Sequence, residues 1–181
     1  RLFGLGLAGL ALWLGRHDIA RRTVKQAGLT RFIAICLLTG YVWLGISGLS
    51  AMWFGGVPVG PQYDATLHAF FLGFVFAMIF AHAPIIFPAV LGARMAYRPL
   101  FYAHVVLLQV TLVVRFIGDA VGWSAGRQVG GLLNAVTLLL FLINTVSALQ
   151  SPPERAGTAQ GRGRDVCKLQ TAASPVKGPV E

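Results

Sequence analysis

The sequence predicts an all-α protein, a polytopic bundle of transmembrane helices with about five spans. Two features of its composition indicate this class: 56% of the residues are hydrophobic, and only 12% are charged. That charged fraction is about half of what a soluble domain carries. The third observation is that the apolar residues form long runs separated by short polar connections. We therefore expect the lipid bilayer to be the main partner of this chain.

The apolar runs predict a transmembrane domain over residues 1–149. The first run, residues 2–15, is shorter than the ~20 residues needed to cross a bilayer, and the chain begins at Arg1 without an initiator methionine. We expect it to be the second half of a span. Four complete spans are predicted at about 32–54, 65–91, 100–117 and 128–149. Pro84 and Pro88 are expected to bend the span at 65–91.

The basic residues predict the orientation of the spans. The loop at 16–31 contains five lysines and arginines and one acid, and the turn at 92–99 contains two arginines and no acid. Short basic loops favour the cytoplasmic side. The loop at 55–61 has no basic residue and is expected outside. Residues 150–181 are rich in Pro, Gly, Ser and charge, which predicts a disordered cytoplasmic tail on a multi-pass protein of the bacterial inner membrane.

The net charge of +9 does not indicate a nucleic-acid partner, because the charges lie in the loops and the tail. The partners that we expect besides lipid are other membrane subunits. The sequence contains no Walker loop, GxSxG or HExxH motif, which argues against hydrolase and nucleotide chemistry of the soluble type. It does not decide whether the protein is an enzyme.

Three histidines, His68, His82 and His104, stand in apolar segments. A buried imidazole costs free energy unless it is paired, binds a metal or faces a cavity, so histidines within a membrane are candidates for function. His68 and His82 are 14 residues apart. In an α-helix this spacing gives a rise of about 21 Å and an angular offset of about 40°. Both are therefore expected on one stripe, at different depths.

His104 begins a second stripe, which continues through Leu108, Thr111 and Arg115. It is expected at a depth comparable to that of His82, so the pair His82 and His104 is predicted to bind one b-type heme iron or a metal ion. His68 is a candidate second site near the outer surface. Arg115 is a candidate ligand of a heme propionate there. Arg115 is also expected close to His68, together with the carboxylates of Asp64 and Asp119.

Each of these features has a structural interpretation as well. A histidine at a helix end is often an interfacial residue, and the phenylalanines around segment 65–91 suit lipid as well as a heme edge. The last span carries a polar stripe that predicts hydrogen bonds between helices or a cavity lining. Its members are Asn134, Thr137, Asn144 and Ser147.

The stretch LHAFFLGFVFAMIFAHAPIIFPAVLG, residues 67–92, is followed by a basic turn and a second histidine-bearing helix. This arrangement resembles bacterial membrane proteins of the NnrS group and subunit I of the heme-copper oxidases. The resemblance implies heme or copper held by histidines within the membrane, in systems that handle nitric oxide, nitrite or oxygen. Members of these families have many more spans, so the resemblance implies that this chain is a portion.

The leading hypothesis is therefore a membrane protein that binds heme b, with copper as the alternative, in a respiratory or nitric-oxide-response role. A rival hypothesis from another class is a non-redox protein with structural histidines. It is either a transporter, in which the bent segment 65–91 lines a pathway, or a scaffold subunit. Bound pigment separates the two hypotheses.

Overall fold

The computed structural model describes residues 1–55, 59–92, 94–95 and 97–150. The chain folds as an all-α helical bundle, which confirms the predicted fold class. Four stretches are long and apolar enough to cross a membrane: Leu29–Phe54, Pro61–Leu91, Phe101–Val121 and Ser124–Ala148. The protein is a multi-pass membrane protein. Parts of the predicted outer loop at 55–61 and inner turn at 92–99 lie outside the described residues, as does the predicted tail from residue 151 onward.

The bundle contains seven α-helices, one π-helical segment and one pair of two-residue strands within the described part of the chain. In chain order these are α1 (Leu2–His17), α2 (Ala20–Thr23), α3 (Leu29–Phe54), α4 (Pro61–His68), the π-helix (Ala69–Val75), α5 (Phe76–Leu91), β1 (Arg94–Met95), α6 (Phe101–Val121), α7 (Ser124–Ala148) and β2 (Leu149–Gln150). The α-helices α3, α6 and α7 begin or end three or four residues beyond the predicted spans. The reason is that their ends carry polar residues, such as Arg31 and Arg127, which hydropathy excludes from a span.

Helices α1 and α3 cross closely at small residues. A Cβ atom on Gly48 of α3 would lie 2.6 Å from the amide nitrogen of Ala8 and 2.8 Å from the carbonyl oxygen of Gly4. Only glycine allows this approach of the two backbones. Gly40 of the same helix packs against side chains of α5: a Cβ atom there would lie 2.6 Å from Cε of Met78 and 3.2 Å from Cβ of Ala77.

The third membrane helix is continuous from Pro61 to Leu91 but changes its type in the middle, where residues 69–75 form the π-helix. This change of helix type was not expected from the sequence. Gly73 within the π-helix contacts the indole of Trp43, and a Cβ atom there would collide with that ring. The Trp43 indole N–H donates a hydrogen bond to Oε1 of Gln109 at 2.5 Å. Helix α5 continues through Pro84 to its end, and the bend stays a prediction.

Helices α6 and α7 form an antiparallel hairpin that turns at Gly122, whose φ of +73° favours glycine. The strands β1 and β2 pair in an antiparallel manner, with Met95 opposite Leu149. This pairing places the end of α7 beside the connection between α5 and α6. The outward faces of α6 and α7 are apolar and suited to lipid, with five strongly exposed side chains: Val106, Val110, Leu132, Leu139 and Ile143.

Candidate functional site

The imidazole of His104, on the second turn of α6, lies inside a cage of four phenylalanine rings. The residue is only 2% exposed. Its ring centroid lies 4.8 Å from that of Phe80, 5.3 Å from that of Phe141, 5.9 Å from that of Phe101 and 6.2 Å from that of Phe32. The rings come from α3, α5, α6 and α7, so His104 stands where four helices meet. The burial predicted for this residue is therefore found, in apolar surroundings.

The hydrogen bonding of His104 is weak. Its Nδ1 atom lies 3.5 Å from the amide nitrogen of Asn144 on α7, the long limit for such a contact. At this distance the contact does not determine which ring nitrogen of a neutral imidazole carries the proton. Nε2 is buried and has no hydrogen-bond partner among the residues that the structure describes.

His82 is exposed on α5, and its orientation is fixed. Its Nδ1 atom lies 2.7 Å from the carbonyl oxygen of Met78, four residues earlier. A carbonyl oxygen only accepts, so Nδ1 carries the proton and a neutral ring leaves the lone pair of Nε2 free. His68 has the same arrangement at the end of α4, where Nδ1 lies 2.7 Å from the carbonyl oxygen of Asp64. Metal-binding histidines hold the ring through the same kind of bond, and so does His17, whose Nδ1 lies 3.0 Å from the carbonyl oxygen of Trp13.

The structure does not bring His82 and His104 together. Phe80, Ala81 and Ala83 are buried against the bundle, whereas His82 is on the exposed face of the same helix. The spacing along the chain predicted comparable depths, but it does not determine which face of α5 packs against α6. Among the described residues there is no cluster of three His, Cys, Asp or Glu side chains that could hold a metal ion.

The predicted common stripe of His68 and His82 is interrupted as well. The angular offset of 40° assumed an unbroken α-helix, but the π-helix between them closes its hydrogen bonds over five residues and turns less per residue. In an unbroken α-helix, Leu72 and Ile79 would lie on the same stripe as the two histidines. Leu72 packs against the buried cluster of Trp43, while Ile79 is exposed. The stripe therefore passes from the inside of the bundle to its surface.

A cluster of four charges lies at the opposite end of the bundle from β1 and β2. It consists of Asp64, Arg115, Asp119 and Arg127. Arg115 lies 3.8 Å from Asp64 and 3.7 Å from Asp119, and Arg127 lies 3.7 Å from Asp64 and 2.7 Å from Asp119. Three members were predicted near one another. The partners of Arg115 are carboxylates of the protein itself, and its contact with a heme propionate stays a prediction.

The carboxylate of Asp119 is fully buried in this cluster, with a side-chain exposure of 0%. Neither of its oxygens has a hydrogen-bond partner in the described part of the chain, although Nε of Arg127 lies 2.7 Å from Oδ1. Arg115 uses one N–H differently and donates to the carbonyl oxygen of Arg127 at 3.2 Å. The charge of Asp119 is thus compensated by ion pairs alone.

Arg127 is the member of the cluster that sequence reasoning missed. It was counted only as an outside charge, yet the hairpin turn folds it back over α6. The signal was the pair of glycines that flank the turn: a Cβ atom on Gly118 would lie 2.8 Å from the amide nitrogen of Arg127 and 3.0 Å from the carbonyl carbon of Gly126. This close approach places the guanidinium of Arg127 beside Asp119.

The polar stripe predicted on the last span makes one buried hydrogen bond between helices. The hydroxyl of Thr111 on α6 lies 2.6 Å from Oδ1 of Asn134 on α7. Thr137 is buried and bonds within its own helix, whereas Ser147 is exposed. The packing role of the stripe is therefore found at Asn134.

The comparisons with known proteins give one match. The model of a family described as a domain of unknown function, DUF8744, matches residues 1–150. No curated protein and no solved structure matches the chain.

Proposed function

We propose that this chain, which belongs to the DUF8744 family, is a membrane protein that supplies His82 as a ligand to heme b or a metal ion at its lipid-facing surface. The single observation that carries the proposal is the arrangement of this imidazole: Nδ1 is held by the Met78 carbonyl at 2.7 Å, and the exposed ring leaves Nε2 free. A ligand histidine needs both features.

The surroundings of His82 support the proposal. Ile79, Ile85 and Ile86 are exposed on the same helix, so the imidazole lies on an apolar surface. A polar ring in contact with hydrocarbon costs free energy unless it has a partner. A ligand bond from Nε2 would remove this cost.

His104 does not suit the role of the second ligand that the sequence analysis gave it. Its imidazole is buried among phenylalanine rings from four helices, whereas the ring of His82 is exposed. The second ligand therefore comes from outside this bundle, and we assign it to His82 of a second copy. In a two-fold symmetric dimer, one exposed histidine from each copy meets its equivalent on the axis. His68 has the same ring arrangement and is the candidate for a second site.

Heme bound in this way would supply one-electron exchange within the membrane. The respiratory or nitric-oxide-response role rests on the resemblance of residues 67–92 to the NnrS and oxidase proteins. Copper in place of heme is the alternative from the same resemblance.

The test compares His82→Ala with two matched variants, His68→Ala and His104→Ala, purified in detergent from heme-replete cells. Each variant loses one imidazole, and the absorbance spectrum and metal content are measured per chain. Loss of the pigment or metal in His82→Ala, with retention in His104→Ala, is the expected result. Equal loss of pigment or metal in His82→Ala and His104→Ala would support ligation by both histidines of one chain. No loss of pigment or metal in either variant would contradict the proposal.

A second candidate function, a non-redox transporter or scaffold subunit, is favoured by the charge cluster. Asp64 on α4, Arg115 and Asp119 on α6 and Arg127 on α7 compensate one another without a cofactor. These ion pairs can hold α4, α6 and α7 together, so the cluster can have a purely structural role. A folded protein that carries neither pigment nor metal would favour this candidate.

A further inference from the structure

A groove lies between α1 and α3, beside the short helix α2, with a volume of about 1070 Å³. Most of its walls are apolar. Helix α1 contributes Ala11, Leu12 and Gly15, and α3 contributes residues from Leu38 to Leu49. At the end near α2 the lining changes to Arg16 and Arg21. The groove is thus apolar along its length and basic at one end.

The shape of the groove follows from the way the two helices cross. They touch at Gly4 and Gly48, where an added Cβ would be within 2.8 Å of the opposite backbone. Towards α2 they separate, since a Cβ atom on Gly15 would meet nothing within 4 Å and one on Gly45 would meet only Ala11, at 3.6 Å. The separation leaves space that no residue of the described chain fills.

Asp18 lines a polar pocket together with Arg16 and Arg21, but it forms no ion pair within 4 Å with either guanidinium in the described part of the chain. Asp18, the nearest acid in sequence, accepts hydrogen bonds from the Tyr41 hydroxyl at 2.6 Å and from the Ala20 amide at 2.7 Å. These bonds fix the turn between α1 and α2. Within the described ranges, no carboxylate lies within 4 Å of the guanidinium of Arg16 or Arg21. Among the residues that the structure describes, both guanidinium groups are therefore without an ion pair.

We infer that this groove is a binding site for an anionic phospholipid, with one acyl chain between α1 and α3 and the phosphate between Arg16 and Arg21. The length agrees: the 12 residues from Leu38 to Leu49 rise about 16 Å along the helix, and half of the hydrocarbon core is about 15 Å thick. The charge agrees as well, because basic pockets at the ends of membrane helices bind anionic headgroups. An apolar helix of a second copy would leave both arginines unused. The inference is independent of His82.

The headgroup is tested by native mass spectrometry of the full chain, titrated with phosphatidylglycerol or phosphatidylcholine of identical acyl chains. Phosphatidylglycerol is expected to bind more tightly, and the double variant R16Q and R21Q is expected to lower its affinity about tenfold. The matched control is K25Q and R31Q, which removes two charges from the same basic stretch, residues 16–31, outside the groove and should leave the affinity unchanged. Equal binding of the two lipids, or equal loss in the two double variants, would overturn the inference.

The body of the groove is tested by a substitution that fills it. Gly15→Leu adds a side chain where the backbone has room, so it should fold and lose the bound lipid. Gly9→Leu is the control, because it lies on the same helix, also has room, and does not line the groove. Loss of lipid in Gly15→Leu alone supports the site. An unchanged amount of bound lipid in Gly15→Leu would contradict the site. So would a lipid-free dimer of the unmodified protein that dissociates when Gly15→Leu is introduced, because a second copy would then fill the groove.

Discussion

At the scale of single residues, Asp119 is the charge whose environment needs explanation. Its carboxylate is fully buried and makes no hydrogen bond within the described part of the chain, so Arg115 and Arg127 alone compensate it. A buried charge that loses its partner is costly, whereas an exposed ion pair contributes little. Asp64, at 41% exposure, pairs with the same two arginines and gives an internal comparison.

Asp119→Ala is predicted to destabilise the protein by about 3 kcal/mol, because it leaves two arginines with one carboxylate at the end of the bundle. Asp64→Ala is predicted to cost about 1 kcal/mol or less, because that carboxylate is partly in solvent. Thermal unfolding in detergent, followed by tryptophan fluorescence, measures both. Equal shifts in the two variants would show that burial of Asp119 is not what matters.

The sequence predicted which residues belong to the site, but it predicted only part of their arrangement in space. Asp64, Arg115 and Asp119 were expected together, since helical spacing and loop length place them at one end. The pair of His82 and His104 was not realised, because spacing gives the depth of a residue in a helix but not the face that packs. That face depends on the neighbouring helices, and the local sequence pattern does not show how those helices are placed.

At the scale of the elements, the crossing of α1 and α3 depends on glycine. Gly48 approaches Gly4 and Ala8 so closely that a side chain cannot fit without moving the helices apart. The same crossing opens the groove towards α2. Stability and the proposed lipid site are therefore linked through one contact.

Gly48→Leu is predicted to destabilise the protein by about 3 kcal/mol, because overpacking at a close contact forces the backbones apart. Gly9→Leu adds the same side chain to α1 where a Cβ meets nothing within 4 Å, and it should change the stability little. The thermal midpoints of the two variants are compared in one detergent. If the midpoints of Gly48→Leu and Gly9→Leu are equal, the close contact of α1 and α3 at Gly48 does not contribute to stability as predicted.

The elements that the sequence predicted best were the long apolar runs, and all four complete runs correspond to membrane-length helices. The ends were missed by a few residues because polar helix termini resemble loops. The π-helix at residues 69–75 was missed entirely, because no residue type marks it. Its position opposite the indole of Trp43 is a property of packing.

At the scale of the whole molecule, the protein is a multi-pass helical bundle with one charged end and one aromatic end. The charged cluster joins α4, α6 and α7, and the phenylalanine cage joins α3, α5, α6 and α7 around His104. Neither centre contains His82, which is presented to the outside. The central claim is therefore that function at this histidine requires a second copy.

The most direct measurement of that claim is a reduced-minus-oxidised visible spectrum of the purified full chain, with metal analysis and mass determination on the same sample. A b-type band in a dimer that carries about one iron per two chains is the predicted result, with one copper per two chains as the alternative from the same site. A colourless, metal-free protein from heme-replete cells would contradict it and leave the non-redox function as the better account.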